Sequence, residues 1–191
     1  MKKAICILLA VLLLGTCAIP CGAVEAKPTG RTIYVDAKPV TCAAYEIEGE
    51  TYFKLRDLAA LFKDTSAEFS VEWDAATQTV VLDSKKKYAP VGGELQAAVG
   101  TDANAAITTH TLRIDGREVT NLTGFNVGGC NYYPLHRLSM WLYFETDLDK
   151  ENNRIGIITT QMTGCELPFA DFYGTQSEQP ATETESTADR C

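Results

Sequence analysis

The sequence predicts an α+β fold of two tandem repeats, each a small antiparallel sheet with one short helix packed on a face. Three observations lead there. A frame of apolar and turn residues in the first half of the chain returns about 80 positions later. Each copy passes from period-two alternation into one stretch of helical spacing and back to alternation. Neither helical stretch exceeds roughly three turns, too short to stand without burying its apolar stripe on a sheet.

The frame is legible residue by residue. In the first copy Tyr45-Glu46-Ile47-Glu48-Gly49 leads into Tyr52-Phe53-Lys54-Leu55-Arg56-Asp57-Leu58, then Phe69-Ser70-Val71-Glu72-Trp73-Asp74, then Val80-Val81-Leu82. In the second, Phe125-Asn126-Val127-Gly128-Gly129 leads into Tyr132-Tyr133-Pro134-Leu135-His136-Arg137-Leu138, then Phe144-Glu145-Thr146-Asp147-Leu148-Asp149, then Ile155-Gly156-Ile157. The offset is 80 from Tyr45/Phe125 through Phe62/Leu142 and 75 afterwards, because Lys63 to Glu68 lengthen a loop in copy one. Length change confined to a loop is the behaviour of a folded unit.

The chain opens on Lys2 and Lys3, the apolar stretch Ala4 to Leu14, and small residues up to Val24-Glu25-Ala26. This is the pattern of an export signal, assigned to residues 1–26 with cleavage after Ala26 and Ala23 as the alternative. Thr16 or Pro20 immediately before Cys17 or Cys21 makes a poor lipoprotein site. The first repeat, 27–84, begins with alternation in Thr32-Ile33-Tyr34-Val35, a turn near Asp36-Ala37, and a return to Val40. A second strand pair turns at Glu48-Gly49, and Leu55, Leu58, Ala59, Leu61 and Phe62 then form a helical stripe. Phe69, Val71 and Trp73 alternate with polar neighbours, predicting one buried and one wet face. Residues 85–109 read as a linker with room for an edge strand.

The second repeat, 110–173, starts with a hairpin whose Asp115-Gly116 dipeptide supplies positive φ. It repeats the strand pair around Gly128-Gly129, and its helical stripe is Leu135, Leu138, Trp141 and Leu142. The last 18 residues, 174–191, are rich in Thr, Glu, Ser and Gln without an apolar period, and are expected to be a disordered acidic tail.

Charge excludes some partners. Removing residues 1–26 takes the chain from 17 basic and 25 acidic residues to 15 and 24, about −9 net, a field that repels nucleic acid and anionic membrane surfaces. Lys85-Lys86-Lys87 reads as a solvated linker start. Cys42, Cys130, Cys165 and Cys191 remain after that cleavage. An exported protein permits disulfides, and four cysteines allow three pairings. The absence of a C-x-x-C pair gives no support to a zinc knuckle or thioredoxin-like site.

Tyr52-Phe53-Lys54-Leu55-Arg56-Asp57-Leu58, Val71-Glu72-Trp73-Asp74 and Pro90-Val91-Gly92-Gly93-Glu94-Leu95 occur in the order that resembles the copper amine oxidase N-terminal-like family, or stalk domains. The resemblance covers roughly Thr32 to Thr159. It implies an accessory module on an exported bacterial protein, without catalysis and without the copper site or quinone-forming tyrosine of the oxidase itself. Copy two departs from the pattern, with His136-Arg137 for Arg56-Asp57 and Leu148 for Trp73.

No catalytic set emerges from the residues. A type-two copper site needs several imidazoles, and the chain has only His110 and His136. Cys130 and His136 stand six apart across a strand-to-helix junction, with no evident reason to meet as nucleophile and base. Asp74 and Asp149 end equivalent strands and Asp115 makes a turn, which accounts for carboxylates that could otherwise suggest glycoside hydrolysis. Leu167-Pro168-Phe169-Ala170-Asp171 echoes a sortase motif but lacks the following glycine, hydrophobic segment and basic end.

The expectation is therefore an exported non-catalytic module, a spacer or interaction domain at the cell surface, with no cofactor and no metal. The alternative is a protein binding cell-wall glycan or peptide through exposed aromatics, for which Tyr52, Phe53, Tyr132 and Tyr133 are the candidate ligand-binding residues. A hydrolytic enzyme is the third class. Expected partners are a cell-wall glycan or a surface protein, not nucleic acid, and no membrane beyond the export signal.

Overall fold

The computed structural model describes residues 23–98 and 101–160. The described chain runs β1 (Val24–Pro28), β2 (Thr32–Val35), β3 (Lys38–Val40), β4 (Ala44–Ile47), β5 (Glu50–Lys54), α1 (Leu55–Leu61), β6 (Ser70–Asp74) and β7 (Thr79–Asp83). The same order then recurs as β8 (Ala103–Ile107), β9 (Thr111–Ile114), β10 (Arg117–Val119), β11 (Phe125–Val127), β12 (Cys130–Pro134), α2 (Leu135–Leu142), β13 (Glu145–Asp149) and β14 (Arg154–Ile158).

The hairpins close where the local chemistry allows left-handed backbone. Glu48-Gly49 (φ 51° and 83°), Asp115-Gly116 (48° and 80°) and Gly128-Gly129 (58° and 84°) have the two successive positive φ angles of a type I′ turn, whose twist matches that of the flanking strands. Asp36-Ala37 makes the equivalent turn without a glycine, at 46° and 64°. Each helix follows its strand without a break, the N-terminal cap position being Lys54 or Pro134 in extended conformation.

The expected α+β class is corrected by these pairings. Among the described residues strands dominate, the helices are one of 7 and one of 8 residues, and the two copies do not build separate sheets. A closed six-stranded barrel in the order β1-β4-β5-β12-β11-β8 takes three strands from each copy, and two four-stranded sheets flank it, β10-β9-β7-β6 and β13-β14-β2-β3. Each flanking sheet joins the first hairpin of one copy to the last hairpin of the other through a parallel pair, Val80 opposite Leu112 and Ile155 opposite Ile33.

The physical reason lies in strand edges. A two-stranded ribbon such as β6–β7 is marginal alone and leaves a row of unpaired backbone groups, which the other copy's hairpin satisfies. Local alternation shows that such an edge exists but not which chain segment will cover it.

Period-two alternation distributes the aromatic residues between two cores. Tyr45, Tyr52, Phe125 and Tyr132 point into the barrel with Ala26 and Ala105, where Tyr45 meets Tyr132 at 5.1 Å and Tyr52 meets Phe125 at 5.3 Å, both edge to face. Their neighbours Phe53 and Tyr133 point outward into the larger core, with Leu58, Phe62, Phe69, Leu82, Leu138 and Ile155. Gly124 fits only because it lacks a side chain, since a Cβ there would lie 2.6 Å from both the Thr108 methyl and the Tyr133 ring.

Three further expectations change. β8 lies inside the segment read as a linker and is a barrel strand in the position that β1 occupies in copy one. Residues 24–26, assigned to the export segment, lie in β1, where Val24, Glu25 and Ala26 pair with Ala105, Asn104 and Ala103. Trp73, expected on a buried face, is 46% exposed, and its counterpart Leu148 is 44% exposed. Residues 1–22 of the export segment, residues 161–173 of the second repeat, the tail 174–191, and Cys165 and Cys191 lie outside the described residues.

Candidate functional site

The four aromatics expected to form an accessible platform are all buried. Tyr52 and Tyr132 fill the barrel, Phe53 and Tyr133 fill the larger core, and none is more than 5% exposed. Burial holds the Tyr52 and Tyr133 hydroxyls up at about 12. The pattern that made these residues conspicuous is the alternation that buries them on both sides of one strand.

What the surface offers instead is a pair of clefts related by the repeat. The first, about 220 Å³, lies between the start of α1, strands β6 and β7, and the β11–β12 turn. The second, about 310 Å³, lies between the start of α2, strands β13 and β14, and the β4–β5 turn. Their linings correspond position for position, so each chemical difference is a substitution within one frame. Lys54 faces Pro134 in this comparison, Arg56 faces His136, Trp73 faces Leu148, Cys130 faces Glu50, and Asn131 faces Thr51.

The first cleft thus has an indole, two cationic side chains, an amide and a thiol, where the second has a leucine, a proline, an imidazole and a carboxylate. The Trp73 indole is fixed by the His110 ring at 4.8 Å, edge to face. Beside it Glu72 accepts from Lys86 at 3.2 Å. Cys130 lines one cleft and His136 the other, so the nucleophile and base weighed from sequence are not brought together. Among the described residues no group of three or more His, Cys, Asp or Glu could hold a metal ion. Cys42 and Cys130 are both free thiols, and burial raises the Cys42 thiol to about 12, far from a reactive thiolate.

A polar strap, unnoticed as a site in the sequence, crosses the start of α1. The buried Asp57 accepts from the Leu95 amide at 3.2 Å and from Lys54 at 3.3 Å, while the Lys54 ammonium also donates to the Gly93 carbonyl at 2.9 Å. Glu94 accepts from the Tyr88 hydroxyl at 2.7 Å and the Val91 amide at 2.8 Å, and these bonds, the Tyr88 one first, hold its carboxyl down at about 2. Burial and the Glu94 contact raise Tyr88 to about 12, with the Arg56 guanidinium acting the other way. The signal for this strap was present in the pairing of Lys54-x-x-Asp57 with the turn-rich Pro90 to Leu95, but its two halves stand 38 positions apart.

The aspartates that end or turn strands have structural duties. Asp74 accepts from the Ala76 amide and the Thr77 hydroxyl, and Asp149 accepts from the amide and side chain of Asn152, which lowers both carboxyls below their ordinary range. Asp36 and Asp115 do more than turn a hairpin. Asp36 accepts from the Thr159 amide at 2.9 Å, and Asp115 from the Ser84 amide at 2.8 Å, so each latches the first hairpin of one copy to the strand end of the other.

Comparison of the chain with family models, with curated proteins and with solved structures finds no match.

Proposed function

We propose that this chain is an exported, non-catalytic stalk-type module, a spacer or interaction domain at the bacterial cell surface whose partner is a cell-wall glycan or a surface protein. The observation that carries this reading is the reciprocal exchange of hairpins. Because β2 pairs with β14 and β9 with β7, and because Asp36 and Asp115 latch those crossings, the copies cannot part without breaking both flanking sheets and the barrel. An interlocked body of this kind suits a part that must keep its length and orientation under load. The resemblance of its motifs to stalk domains and the export pattern at its start supply the cellular setting.

Cell fractionation with surface proteolysis tests the setting, and retention of the protein in the cytoplasm would overturn it. Pulling experiments test the mechanical role: changing both Asp36 and Asp115 to Ala is expected to lower the unfolding force, with both latches lost. Turnover of amines, peptides or glycans by the purified protein, abolished by replacing Cys130 or His136, would refute the non-catalytic reading.

The glycan- or peptide-binding alternative moves to other residues, since its four aromatics are buried. The half-exposed Trp73 in the first cleft is the feature that favours it. Trp73 fluorescence that stays unchanged on adding wall fragments would remove that support.

A further inference from the structure

We propose that a third cleft, at the end of α2, binds the carboxylate-bearing sugar ring of an acidic glycan. It holds about 250 Å³ and is lined by Trp141 and Tyr143 together with Lys85, Arg117, Asp115 and Ile114. Two aromatic rings and two cations converge there.

The rings are not spent on the core. Tyr143 is 70% exposed, the most of any large hydrophobic side chain among the described residues, and Trp141 is only partly buried where it packs against the larger core. The cations are free as well. Of the run Lys85-Lys86-Lys87, Lys86 pairs with Glu72 at 3.2 Å and Lys87 with Asp64 at 3.7 Å, whereas Lys85 and Arg117 form no ion pair with a described residue. The one carboxylate in the lining, Asp115, is occupied, accepting from the Ser84 amide at 2.8 Å and from the Ser84 hydroxyl at 2.9 Å through its two oxygens. Its charge offsets one cation, so the lining keeps a positive balance in a chain of formal charge −8.

The other copy shows that the frame does not demand these side chains. Trp141 stands where copy one has Leu61, and Arg117 where it has Lys38. After the shared position Phe62/Leu142 comes Lys63 in copy one and Tyr143 in copy two. The same helix end forms without either ring, so the aromatic pair is an addition to the surface of copy two.

Chemistry selects the occupant. An aromatic face is electron-rich and receives the polarised C–H face of a pyranose, while guanidinium and ammonium groups take a carboxylate through charge-assisted hydrogen bonds. The volume suits a single ring, below the roughly 300 Å³ at which sites for larger ligands begin. An acidic peptide would need a strand edge to hold its backbone, and the adjoining edge strand β10 offers only 3 residues. Such a site rests on the cell-surface role proposed above and gives its glycan partner a chemistry.

The test is calorimetric titration of the purified full chain with trigalacturonate, with the same trisaccharide reduced at its carboxyl groups, and with hexaglutamate. Trigalacturonate is expected to bind saturably, and the reduced sugar roughly tenfold more weakly or worse. Tyr143→Asn, which keeps a residue tolerant of the left-handed φ of 56°, and Arg117→Glu are each expected to weaken binding by roughly tenfold or more. Lys38→Glu, the same charge reversal at the matching position of copy one, is expected to leave binding unchanged. No saturable binding, equal binding of the reduced sugar, an equal loss in Lys38→Glu, or tighter binding of hexaglutamate overturns the proposal. Because the titration uses purified protein, its failure would strike the cleft alone, and the surface setting stands or falls separately by fractionation.

Discussion

Phe53 and Tyr133 stand opposite each other in the β5–β12 pair and mark the axis about which the two copies are exchanged. On either side of them the register repeats in reverse, with Tyr132 opposite Lys54 and Pro134 opposite Tyr52. Residue 53 and residue 133 are the same position of the repeat, 80 apart, so the barrel is closed at its centre by one position meeting its own copy.

That relationship predicts the effect of making the two alike. The Tyr133 hydroxyl is buried without a hydrogen-bond partner among the described residues, and copy one uses Phe in its place. Removing a buried, unpaired hydroxyl relieves a desolvation cost of about 1–3 kcal/mol. Tyr133→Phe is expected to raise the melting temperature, and a fall measured by calorimetry would show that the hydroxyl has a partner.

A second asymmetry lies in the first hairpins. Ala37 holds a φ of 64° where copy two has Gly116 at 80°. A left-handed conformation costs an L-residue roughly 1–2 kcal/mol that glycine avoids, offset in part by the unfolded-state freedom of glycine. Ala37→Gly is expected to stabilise by up to about 1 kcal/mol in denaturant titration, and Gly116→Ala to destabilise.

Acid is expected to loosen the strap. The Glu94 carboxyl lies at about 2 in the folded chain against an ordinary 4.5, so between those values the unfolded chain binds more protons and stability falls with falling pH. The contribution is complete above pH 4.5 and gone once pH has passed below 2. The gap in melting temperature between the wild type and Glu94→Gln should close over that window, and a gap constant from pH 6 to pH 2 would refute the assignment.

Under the proposed export, removal of the leading segment is expected between Ala23 and Val24. Cleavage after Ala26 would delete all three β1 residues that pair with β8 and the Ala26 side chain that is 0% exposed in the barrel. N-terminal sequencing of the processed protein should find Val24 first, and a start at Lys27 would contradict this.

Much of the local structure was legible. Apolar alternation located β4, β5, β11 and β12, the Glu48-Gly49 and Gly128-Gly129 dipeptides located their turns, and helical spacing found α1 and α2, because these signals act over a few neighbouring residues. The candidate site was less so. Tyr52 and Phe53 look like a platform in sequence because two adjacent aromatics on a strand must face opposite sides, and nothing local says that both sides are covered. Asp57 looks like one more helix-start carboxylate until Leu95 and Gly93 arrive from a distant segment.

By itself the sequence determined that this chain is one pattern used twice, where its strands turn, and which positions are apolar. Only the tertiary structure decided that the copies trade hairpins, and with that whether the fold is two α+β units or one barrel with two flanking sheets. The reason is that strand edges pair through backbone groups every residue possesses, so the choice between Thr32–Val35 joining its own copy or β14 of the other leaves little trace in side-chain pattern. It is settled by which arrangement covers all the edges and fills both cores at once.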